Sequence, residues 1–157
     1  MERQLSTLEL ALCQRPYVKS SSGTFQSERN YLDFVVDGQP LAERTRYDLV
    51  SVLCKEWASG EREKAVRRLL REEAADFPDD RRSLFVCGEC GDIGCGAVSI
   101  IIQLSNNRVL WRDFGYQNNY EPEIHEAHLK DLGPFEFDLD DYKSKLTRAL
   151  DMLKAPS

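Results

Sequence analysis

The sequence has no apolar run long enough to cross a bilayer. Its longest, around Val98 to Ile102, falls far short of the ~20 residues a spanning helix needs. The opening stretch from Met1 to Glu9 lacks the unbroken apolar segment of a secretory leader, and no lipidation motif is visible. A cytoplasmic chain is expected. Phosphate-cradling motifs are missing too: there is neither a Walker-type loop nor a Gly-x-Gly-x-x-Gly run, so no nucleotide is expected. No Gly-x-Ser-x-Gly elbow is present for serine hydrolysis. Histidine is confined to His125 and His128, three apart, which is not the four-residue spacing of a metalloprotease helix. Basic residues are in deficit, with 21 Lys and Arg against 27 Asp and Glu and a net charge of −6. A nucleic-acid face needs clustered cations and is not expected here. Together these absences point toward binding rather than catalysis.

What the chain does have is enough apolar residue, 41% of 157, to build one core. Alternation at Leu8, Leu10 and Leu12 predicts a first strand, and Asn30 to Val36 a second that stops at the turn pair Asp37-Gly38. Tyr47, Val50, Leu53, Cys54 and Trp57 recur at helical spacing, and a second, stronger helix is predicted from Glu61 to Phe77, ended by Pro78. Strands are then expected at Leu84–Val86, Ala97–Leu104, Val109–Phe114 and Phe135–Phe137, with Asn106-Asn107 as a hairpin turn. Asp138 or Asp140 can cap a last helix whose Leu139, Tyr142, Leu146, Leu150 and Leu153 share one face. The expected fold is a single α+β domain over residues 1–157, a mostly antiparallel sheet covered by helices.

Five cysteines are present, and three crowd into Cys87-Gly88-Glu89-Cys90-Gly91-Asp92-Ile93-Gly94-Cys95-Gly96. Four glycines let this segment fold tightly enough to turn several sulfurs toward one point. Zinc or an iron–sulfur cluster takes such thiolate ligands, usually four of them. No fourth ligand is local. Cys13, Cys54, His125 and His128 are the candidates to arrive through the fold. The alternative is that the reduced thiols simply pack as small hydrophobes. A thioredoxin-like role for Cys87 and Cys90 fits less well, because that motif opens a helix and this one runs into glycine and strand.

From Asp113 to Asp141 acidic residues dominate, with Lys130 the lone base. Asp113, Glu121, Glu123 and Glu126 surround Tyr116 and Tyr120, a pattern that suits a basic protein partner: charge steers encounter and aromatics supply contact area. A solvated loop is the plainer reading. The arginines of Glu61–Phe77 are interleaved with glutamates and read as a solvated, ion-paired face.

The segment Val86 to Ala97, with Trp111 to Tyr116 and Gly133 to Asp138, resembles a family of small bacterial proteins without established biochemistry, some of which carry an oxidoreductase label. The resemblance is strong in the carboxy-terminal half and holds in outline elsewhere. Proteins of this size and style also resemble immunity proteins encoded beside polymorphic toxins, including ADP-ribosyltransferase toxins. That resemblance implies occlusion of a cognate toxin domain. The oxidoreductase label implies a cofactor site that no other motif supports, leaving a small metal or iron–sulfur redox protein centred on Cys87, Cys90 and Cys95 as the alternative.

Overall fold

A computed structural model describes residues 4–154; the first three residues of the stretch read for a leader lie outside the described residues. Among the described residues, ten strands and three α-helices follow one another. Strands β1 (Leu8–Arg15) and β4 (Arg29–Val36) pair antiparallel over their full length, between them the small hairpin of β2 (Val18–Lys19) and β3 (Phe25–Gln26). Asp37 and Gly38, both at positive φ, turn β4 into β5 (Gln39–Pro40). Helix α1 (Leu41–Thr45) leads to β6 (Leu49–Ser51), and α2 (Ser59–Leu69) follows. Strands β7 (Arg81–Cys87), β8 (Ala97–Ser105), β9 (Arg108–Gln117) and β10 (Phe135–Asp138) form, with β6, an antiparallel sheet in the order β10-β9-β8-β7-β6. Helix α3 (Leu139–Lys154) is the last described element, its N-terminus capped by the Asp138 carboxylate accepting the Asp141 N–H. The α+β expectation holds.

Two antiparallel sheets share one core. Phe34 of β4 meets Phe85 of β7 and Trp111 of β9 edge to face, at centroid separations of 5.7 and 5.5 Å. Phe137 and Tyr142 complete the aromatic cluster, and the Tyr142 hydroxyl donates to the Leu69 carbonyl at 2.6 Å, tying α3 to the end of α2. Among the described residues no helix is long and apolar enough to cross a membrane.

Two predicted helices are corrected. The stretch from Tyr47 to Trp57 is not helical: Leu49–Ser51 is β6, paired with β7, and Cys54 bridges Tyr31. Val50, Ser51, Val52, Leu53 and Cys54 are all buried, and a short run buried throughout gives helical and strand readings alike. The predicted Glu61–Phe77 helix stops at Leu69, eight residues early. Arg71, in left-handed backbone, donates to the Ile102 carbonyl, and the Asp76 carboxylate accepts the Ser83 N–H. Those ties to the sheet unwind the last two turns.

Candidate metal centre

Strand β7 ends at Cys87 and β8 begins at Ala97, so the cysteine segment is the connection of a β hairpin. The Gly91 N–H closes back on the Cys87 carbonyl at 2.9 Å, and Gly91 occupies positive φ as that turn requires. Asp92 then opens a short 3-10 turn, Ile93–Cys95, with its carboxylate accepting the Gly94 N–H at 2.9 Å. The result brings the sulfurs of Cys87, Cys90 and Cys95 within 4.8 Å of one another, close enough to hold a metal ion. Cys90 Sγ and Cys95 Sγ stand 2.9 Å apart. Tetrahedral zinc at ~2.3 Å from each sulfur sets them roughly 3.8 Å apart, so this pair must part slightly around an ion.

The backbone is arranged for thiolates. Partial burial works to raise the Cys87 thiol, yet N–H groups of Cys90 and Glu89, with the neighbouring thiols, hold it below its ordinary value. The Asp92 N–H points at Cys90 Sγ from 3.4 Å. Cys95 is pushed up to about 12, first by its hydrogen bond with Cys90, so an ion would have to displace a proton there.

Side chains from distant parts of the chain strap this loop down. The Glu89 carboxylate accepts the Ser27 N–H and hydroxyl and the Arg15 guanidinium, which together hold it at about 2. Arg29 donates to the Gly88 and Glu89 carbonyls while lying 5.2 Å over the Trp57 ring, and that ring packs flat against Gly91. Sequence reasoning missed all four partners. Only their contacts across the fold reveal them.

The candidate fourth ligands do not join the thiols. Cys13 lies on β1 opposite Tyr31; Cys54 is buried, donates to Glu56 and is pushed up to about 12 by desolvation. His125 and His128 are exposed, His128 with its edge toward the Tyr47 ring. Among the described residues, the three thiols are the one group of three or more ligand side chains.

The acidic region proves to adjoin the cysteine loop. Tyr116 exchanges both backbone hydrogen bonds with His125, so residues 117–124 form a closed excursion from β9. The Asn118 carboxamide accepts N–H groups of Tyr120 and Glu121 inside it. Tyr116 stacks on Tyr47 at 4.2 Å and its hydroxyl abuts Gly96, while Asn119 reaches Gly94. Tyr120 projects into solvent at 72% exposure, with Glu121 and Glu123 exposed beside it. Asp113 pairs with Arg112, and with Glu126 borders a separate cavity of about 240 Å³. The six acidic and aromatic residues therefore divide between two neighbouring places.

Gly96 is where the two loops meet most tightly. Its φ is +104°, and an added Cβ would stand 2.0 Å from the Tyr116 hydroxyl oxygen. Gly96→Ala is expected to cost about 2 kcal/mol or more from backbone strain and overpacking. Adding Tyr116→Phe should recover only part, since the ring carbon beneath lies 2.6 Å from the same point. Urea unfolding of both variants measures this.

No family model matches the chain, and no curated protein and no solved structure matches it.

Proposed function

We propose that the protein binds one zinc ion through Cys87, Cys90 and Cys95 and serves as a metal-organised interaction module for a basic protein partner. One observation carries the metal reading: three sulfurs lie within 4.8 Å in a turn whose N–H groups are aimed at two of them. A four-iron cluster places each thiolate on a different iron and spreads the sulfurs further, so this spacing favours a single ion. The interaction reading rests on Tyr120, an exposed aromatic flanked by carboxylates, on a loop braced by the cysteine segment. A cognate toxin domain is the partner that the sequence resemblance suggests, and the role is neutralisation by occlusion, without turnover.

Elemental analysis of protein purified without chelator should find about one zinc per chain, lost in Cys90→Ser. Absence of metal would leave the thiols as packing groups. For the partner, Tyr120→Ala should raise the dissociation rate from a candidate toxin domain, because truncating a buried aromatic anchor costs on the order of 2 kcal/mol or more. Glu121→Lys with Glu123→Lys should slow association at low salt and matter less as salt rises. Unchanged kinetics in both variants, with protection retained in cells, would remove the loop from the interface.

A further inference from the structure

A divalent ion of zinc's kind completes four-coordination, and the number of protein ligands decides whether the centre is closed or open. Closed structural sites use four side chains; sites that bind an exchangeable ligand use three. Here three thiols converge, and among the described residues no other Cys, His, Asp or Glu joins them. Both carboxylates within the segment are already engaged: Glu89 accepts from Ser27 and Arg15, and Asp92 accepts the Gly94 N–H.

Access is the second consideration. Cys90 and Cys95 are both exposed. Cys90 also lines a cavity of about 400 Å³ that runs back toward α2, walled by Trp57, Val86 and Ile93 with Glu56 and Arg68. That volume holds far more than the single water a metal would otherwise take, roughly 30 Å³. Trp57 forms part of this wall, and its buried indole N–H has no acceptor among the described residues.

We infer that a metal ion at Cys87, Cys90 and Cys95 keeps its fourth coordination position open to an external thiolate or imidazole ligand, admitted beside Cys90. The inference rests on the metal reading above and extends it. Such a ligand belongs chemically to a cysteine or histidine side chain presented by a partner, or to a small thiol. The ligand binds without redox change: a thiol gives up its proton to solvent as its sulfur replaces water on the ion.

Cobalt(II) titration of the full, reduced chain under nitrogen separates the possibilities. One equivalent should produce a thiolate-to-cobalt charge-transfer band together with ligand-field bands. Added imidazole or 2-mercaptoethanol should then shift the ligand-field bands saturably while the charge-transfer band persists. Failure to develop the charge-transfer band, or its full retention in Cys90→Ser with an unchanged circular dichroism spectrum, would overturn the metal site itself. A tetrahedral cobalt spectrum indifferent to both additives would uphold the site and overturn the open position. In that case His125→Ala, His128→Ala or Asp92→Asn should move the bands and identify a ligand from within the chain.

Discussion

Replacing Cys87 with serine is expected to abolish stoichiometric zinc binding and to lower the unfolding midpoint of the zinc-loaded protein by about 10 °C. Cys87 differs from its two partners in being fixed by the sheet: it is the last residue of β7, paired with Leu49, and only half-exposed. Two N–H groups of its own turn are directed at its sulfur, so the other two thiols are gathered around it. A serine oxygen is harder, a poorer zinc ligand, and its pKa is far too high to share the turn as an anion. The magnitude follows from linkage. An ion present at about 1,000 times its dissociation constant stabilises the folded state by about 4 kcal/mol. For a chain of 157 residues each kcal/mol moves the midpoint by roughly 2–4 °C. Thermal melts with and without chelator check this: wild type should fall by the same interval on zinc removal, and Cys87→Ser should be insensitive to chelator. A wild-type melt unmoved by chelator would sink the linkage argument.

The convergence of the three thiols is readable from sequence because Cys87, Cys90 and Cys95 lie within nine residues and their turn chemistry is local. The same holds for the turns at Asp37-Gly38 and Asn106-Asn107, where each residue adopts positive φ, and for Asp138 as a cap. What stayed hidden depends on partners far along the chain. Glu89 meets Ser27 and Arg15 across more than sixty residues, and nothing in Cys-Gly-Glu-Cys announces that its glutamate is a strap. Helix α2 has a good apolar stripe past Leu69, yet Arg71 and Asp76 are worth more to the sheet than to another two helical turns. The stretch from Tyr47 to Trp57 reads as a helix from sequence because Val50–Cys54 is buried on every side, which erases the period that tells strand from helix. The acidic loop was visible as composition; that Tyr116 is spent on stacking with Tyr47 while Tyr120 stays free was not.

The second large effect is expected at Arg81, which no motif singles out. Arg81 is 4% exposed, at the start of β7, and its guanidinium reaches across two neighbouring strands. Its Nε donates to Ser99 Oγ at 3.0 Å and Gln117 Oε1 at 3.1 Å; one terminal nitrogen donates to the carbonyls of Ser99 and Asp113. Asp113 is there because β9 bulges: Ser99 faces Gly115 and Ile101 faces Arg112, so Asp113 takes a positive φ and turns its carbonyl inward. Burial pulls the guanidinium below its usual value, opposed by the Asp113 and Glu126 carboxylates nearby. Arg81→Met would keep the stem's volume and remove four hydrogen bonds at once, leaving Ser99 Oγ and Gln117 Oε1 with only the bond they make to each other. Hydrogen bonds to a charged group contribute about 1.5–3 kcal/mol each, and buried acceptors left unpaired add desolvation cost, so a loss of about 3 kcal/mol or more is expected. The midpoint should drop by roughly 6–12 °C. Arg81→Lys should recover little, because a point charge cannot serve acceptors on two strands in the fork geometry. The consequence reaches the site as well: the bulge that Arg81 holds sits just before Tyr116, which braces the cysteine loop at Gly96. Zinc affinity in Arg81→Met should therefore fall, though far less than in Cys87→Ser, where a ligand is gone. Urea unfolding and competition with a metal-binding dye measure the two effects on one sample. An Arg81→Met variant within 1 kcal/mol of wild type would mean that the bulge is held by its ladder bonds and not by the guanidinium.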